Sequence, residues 1–256
     1  MRRPARPALA VMLTAWCGAS PATAEPDDLV GLRPRPQRGE LWLDTTLELN
    51  LSHQRGGSRA IAPDLWWGLS DQTSLGIAHS ARSLARIDDL GGLCVLDCAE
   101  RPRYAVAALV KHGLFETARL DVALQAGALL RDVDPWKPAL LVGAAARWRR
   151  GRVALSATPY LQLGVANTDL GNRHRVVVPL RATVQPTCGW ALGVHTGVEG
   201  ELAVLRDAYH VPLAASTSAR LSERLVVTAE AGFASLLGPQ NTGYRSLLTV
   251  SLEARL

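Results

Sequence analysis

Beyond its first two dozen residues the chain lacks any apolar run long enough to form a membrane-spanning helix, although 48% of it is hydrophobic. A helix needs about 20 consecutive apolar residues to cross a bilayer, so this hydrophobicity must be arranged in some other way. Aromatic residues are also scarce, at 5%. No glycine-rich phosphate loop, paired CxxC or HExxH motif is present. Metal binding by a compact cluster, and with it metal-dependent hydrolysis, has no support. Cysteine is nearly absent, with four in 256 residues. Cys17 falls in the amino-terminal leader and Cys188 stands alone in QPTCGW. Cys94 and Cys98 in GGLCVLDCAER can close a small disulfide loop in an oxidising compartment. No metal site or cofactor is expected from these residues.

An excess of one charge is missing too. The stretch MRRPARPALAVMLTAWCGASPATAEP has a basic start, a short apolar centre and the small-residue site Ala22-Thr23-Ala24. These are the parts of a cleaved secretory signal peptide. Removing residues 1–24 takes three of the 28 basic residues and leaves 25 against 23 acidic ones. That balance excludes an electrostatic case for a nucleic-acid partner. Residues 25–38 are proline-rich and aperiodic, which predicts a flexible lead-in on the periplasmic side.

What the chain has in quantity is alternation. In Leu248–Leu256, Leu248, Val250, Leu252, Ala254 and Leu256 share one face; Thr249, Ser251, Glu253 and Arg255 share the other. A period of two marks a strand, because successive side chains leave opposite faces of a pleated backbone. The first such segment, Leu41–Ser52, sets five leucines against Asp44, Thr46, Glu48 and Asn50. About twelve segments of this kind occupy residues 39–256. Their connections alternate between short turns and longer loops rich in Gly, Asn, Asp and Arg. An even strand count with that alternation is what an outer-membrane barrel requires. The fold class is therefore all-β: a transmembrane antiparallel up-and-down β-barrel of about twelve strands, its last strand closing on its first. Outer-membrane lipid and the barrel-assembly machinery are the partners this implies. A soluble β-sandwich is the competing architecture. Pro159, Pro179 and Pro212 fall inside predicted strands, where each removes a ladder donor and marks a bulge or a boundary.

Two stretches, PDLWWGLSDQTSLGIAHS (Pro63 to Ser80) and ARLSERLVVTAEAGF (Ala219 to Phe233), carry a strand–turn–strand phrase. It resembles the turn phrase of outer-membrane transporter-like proteins of the meta-pathway phenol-degradation type. The resemblance covers about an eighth of the chain, implies barrel architecture, and transfers no substrate or site residue.

The polar faces nominate a lumen carrying Asp44, Glu48, Lys111, Arg119, Asp121, Arg181, Glu199, Glu201, Arg220, Glu230, Glu253 and Arg255. Mixed charge of this kind either tunes the passage of a small polar solute or cross-pairs to fill a narrow interior. A narrow channel for passive passage is the leading expectation; a non-conducting structural or adhesive barrel is the alternative. An enzyme is not expected. The nearest catalytic pairing is His210 with Ser216 or Ser218, and no third residue orients it.

Overall fold

In the computed structural model, residues 33–51, 59–79, 93–96, 105–239 and 246–256 are described. They form β1 (Leu41–Asn50), β2 (Arg59–Gly68), β3 (Thr73–Ala78), β4 (Leu93–Leu96), β5 (Ala105–Glu116), β6 (Leu120–Val133) and β7 (Trp136–Arg150). The second half contributes β8 (Val153–Ala157), β9 (Tyr160–Gly164), β10 (Arg175–Thr187), β11 (Trp190–Glu201), β12 (Tyr209–Ser222), β13 (Leu225–Leu237) and β14 (Ser246–Arg255). All pairings are antiparallel between neighbours, and β1 pairs with both β2 and β14. Reciprocal bonds between Leu41 and Leu256, at 3.0 and 2.8 Å, complete the seam. The sheet is a closed barrel, which excludes the soluble sandwich.

Fourteen strands fill twelve wall positions. Pro159 separates β8 from β9, which share the place between β7 and β10. Without an N–H, Pro159 cannot continue the ladder, although its carbonyl still accepts from Ala144 N at 2.9 Å. In the same way β3 pairs with the Leu65–Gly68 end of β2, and β4 with its Arg59–Ile61 end. Pro212 coincides with a register shift between Val211 and Leu213. Pro179 stays within β10, where its partner on β11 is Gly197.

One end carries tight turns at residues 69–72, 117–119, 151–152, 188–189 and 223–224. Both phrases of the family resemblance lie there. The opposite end carries the longer connections, with one exception. RDVDPWKP reads as a polar loop but forms a two-residue turn at 134–135. Arg131↔Lys137 and Leu130↔Pro138 extend the ladder nearly to it, and Lys137 pairs with Asp132 at 2.8 Å.

The outer surface is apolar all round. Leu43, Leu65, Leu75, Leu124, Leu140, Leu155, Leu180, Leu192, Leu213 and Leu252 are exposed on successive strands. A soluble monomer does not display a continuous apolar belt; a lipid-facing barrel wall must. Trp136 stands exposed near the long-loop end, and Trp67, Trp148 and Trp190 near the short-turn end. Tyr104 and Tyr244 lie outside the described residues, as do the leader (1–24) and Cys98.

Candidate functional site: the lumen

The inner faces divide into two arcs. From β5 to β9 the inward residues are largely small or apolar: Ala105, Ala107, Leu109, Ala123, Leu129, Ala139, Leu141, Ala145 and Tyr160 are all buried. Most of them belong to one cluster that also takes in Trp42 and Trp66. From β10 through β14 to β1 the inner face is polar and ion-paired. Arg181 Nη2 lies 2.6 Å from Glu230 Oε2, and His195 Nδ1 lies 3.3 Å from Glu230 Oε1. Glu230 shares its row with Ser216 and Gly193 on the two intervening strands. A Cβ on Gly193 would stand 2.5 Å from Ser216 Oγ, so the serine needs a glycine beside it. Nearer the long-loop end, Arg175 Nη2 meets Glu199 Oε1 at 2.6 Å, and His210 Nε2 lies 3.6 Å from Glu199 Oε2.

The remaining nominated residues fall as follows. Asp44, Glu48 and Glu253 point inward on β1 and β14, with Asp44 and Glu253 directly paired in register. Arg255 Nε bonds Glu253 at 2.8 Å and its guanidinium lies over the Trp42 ring at 5.1 Å. Lys111 lies 3.9 Å above the Trp66 ring. Asp121 is buried, 3.8 Å from Arg147. Glu201 pairs with the exposed Arg173 at the rim, at 2.8 Å. Arg220 is half-buried, two residues from Ser218 on the inner face of β12. Arg119 is a correction. It is exposed in the β5–β6 turn, because β6 starts only at Leu120. The alternation that placed Arg119 with Asp121 does not extend that far. The disulfide proposed for Cys94 and Cys98 lies outside the described residues; Cys188 is exposed in the β10–β11 turn.

Several lumen residues escaped the sequence reading. Trp42 and Trp66 are inward, buried and paired across β1 and β2. Trp42 shares parity with Asp44 and Glu48, which was signal enough. Arg147 falls on the face of β7 opposite the exposed Leu140, Val142 and Trp148, so parity pointed to it too. The catalytic pairing also fails on geometry. Ser216 is six residues from His210 along one strand, roughly 20 Å at strand rise. Ser218 Oγ is engaged by Thr228 Oγ1 at 2.8 Å.

Residues 33–38, the described part of the lead-in expected at 25–38, are not free of the barrel. They fold back into the short-turn mouth. Arg35 is buried and Pro36 is fully buried. Arg35 Nη1 donates to the Asp71 carbonyl, and its Nη2 bonds Glu116 Oε2 at 3.1 Å. Lys111 Nζ donates to the Pro34 carbonyl at 3.0 Å. Above this segment is a cavity of about 200 Å³. Its charged lining is balanced: Arg33, Lys111, Arg147 and Arg181 against Asp44, Glu48, Glu230 and Glu253.

The class this defines is a closed, lipid-facing β-barrel with an ion-paired interior. No protein-family model matches the chain, and no curated protein matches it. Among solved structures it is similar to the KdgM porin in complex with disordered oligogalacturonate. That alignment has a TM-score of 0.58 and 6% identity over 83% of this chain and 98% of that one. It is also similar to the NanC porin, with a TM-score of 0.59 and 8% identity over 84% of this chain and 100% of that one. At such identities the likeness establishes the barrel fold. The meta-pathway family suggested by the turn phrases gains nothing from these comparisons.

Proposed function

We propose that this protein is an outer-membrane barrel, exported by a cleaved signal, whose lumen passes a small polar solute by passive diffusion. Outer-membrane lipid and the barrel-assembly machinery are its partners, and the short-turn end faces the periplasm, as barrel topology requires. The carrying observation is the lumen cavity of about 200 Å³ with four basic and four acidic side chains on its wall. Opposed charges at close quarters hold a passing solute by complementary contacts while giving neither ion sign a large advantage. The two porin neighbours support the architecture, and one of them, KdgM, is in complex with oligogalacturonate. Here the balanced lining favours a solute of little net charge.

The test is reconstitution. A mobility difference between boiled and unboiled detergent-extracted protein reports the closed barrel. Planar-bilayer recording then gives discrete conductance steps and a reversal potential near zero in a salt gradient. A folded barrel that never conducts overturns this reading in favour of a structural or adhesive barrel acting through its external loops. One observation favours that second reading: the segment Arg33–Gln37 occupies a mouth of the lumen.

A further inference from the structure

We infer that residues 33–37 are a built-in plug, held in the short-turn mouth by a latch that the barrel wall is shaped to receive. As regulation of the lumen, the inference rests on the channel reading above.

The wall has been cut back where the segment lies. A Cβ on Gly68, the last residue of β2, would stand 1.7 Å from the Gln37 carbonyl oxygen. A Cβ on Gly113 of β5 would stand 2.5 Å from the Arg35 guanidinium. These two glycines stand on β2 and β5, with β3 between them, and each leaves room for one of the segment's groups. The segment itself suits the task. Pro34 and Pro36 flank Arg35, so two of the segment's backbone φ angles are fixed and little conformational entropy is lost on docking. Prolines lack N–H donors, so the wall has fewer backbone groups to satisfy in a partly buried place.

The attachment is asymmetric. At the β1 side the chain is fastened firmly: Gly39 N bonds Gly68 O at 2.8 Å and Gly68 N bonds Glu40 O at 2.9 Å. Gly39 has φ +79, a turn conformation that glycine adopts without a steric penalty. At the far side only side chains hold it: Arg35 reaches the Asp71 carbonyl and Glu116, and Lys111 Nζ reaches the Pro34 carbonyl at 3.0 Å; in the Arg35–Glu116 pair, Glu116 is 56% exposed. Such a pair is weak because water and salt screen it. A backbone hinge and a side-chain latch make a segment that can swing out while the ladders stay intact. With it gone, Trp42, Trp66 and Lys111 would face the open mouth.

The test uses Thr46→Cys as a reporter inside the cavity, with Cys94, Cys98 and Cys188 replaced by serine. Two further changes are each added to it: Gly68→Ala, which puts a methyl group where the Gln37 carbonyl sits, and deletion of residues 34–37, which removes the plug and leaves every strand. Heat-modifiability selects the folded variants; if Gly68→Ala does not fold, the deletion carries the test. The expected result is about tenfold faster reaction of the introduced thiol with a bulky maleimide and a several-fold rise in single-channel conductance. Faster labelling with no conductance in any variant keeps the plug and removes the channel reading. Unchanged labelling in a folded deletion variant overturns the plug, whatever the conductance.

Discussion

The β5–β9 arc and the β10–β1 arc present the same face to lipid and opposite faces to the lumen. Outside, both show leucine and valine on alternate residues. Inside, the first is lined mostly by alanines with Leu109, Leu129 and Leu141, and by Lys111, Asp121 and Arg147 toward the short turns, whereas the second carries Arg181, His195, Glu199, Glu230 and Glu253 in ion pairs. A barrel interior need not be uniform. One arc is mostly apolar and meets the cavity with Lys111 and Arg147, and the other keeps most of its charged groups beside that cavity.

The largest expected effect separates the arcs directly. Leu141→Lys puts an unpaired ammonium into the mostly apolar arc and costs roughly 5 kcal/mol, enough to abolish the heat-modifiable band. Thr228→Lys places the same group beside Glu230 and keeps that band. On the lipid face the arcs behave alike. Leu124→Arg and Leu192→Arg each cost about 2–4 kcal/mol near mid-membrane, measured by reversible denaturant unfolding in lipid vesicles. Unequal losses at these two positions would mean that the belt differs between arcs. Within the charged arc, Glu230→Gln leaves Arg181 and His195 without their carboxylate. It should destabilise by about 1–3 kcal/mol and shift the reversal potential toward anion selectivity. The smallest effect belongs to Arg119→Ala in the exposed turn, within about 0.5 kcal/mol of wild type by the same unfolding assay.

How much of this was legible in the sequence depended on contrast between the two faces of each strand. β1 and β14 alternate leucine or valine with Asp, Glu, Thr and Ser, so their inward residues were readable residue by residue. In β7 the run ALLVGAAARW sets Leu140, Val142 and Trp148 outward as alternation reads them, but its inner face is apolar too until Arg147, so alternation gave little sign of which face is the lumen. The β6–β7 connection was misread because Asp-Pro between basic residues also describes a tight turn. Nothing in EPDDLVGLRPRPQR signalled a docked segment, because its partners Asp71, Lys111 and Glu116 lie more than thirty residues away.

The sequence by itself determined a closed antiparallel barrel, since a period of two and alternating connection lengths are local properties that only closure satisfies at every sheet edge. Tertiary structure decided the contents of the lumen. Which arginine meets which glutamate depends on strand tilt and on partners three strands apart, and whether a proline-rich segment hangs free or fills a mouth depends on groups of β2 to β5 that are distant in the chain.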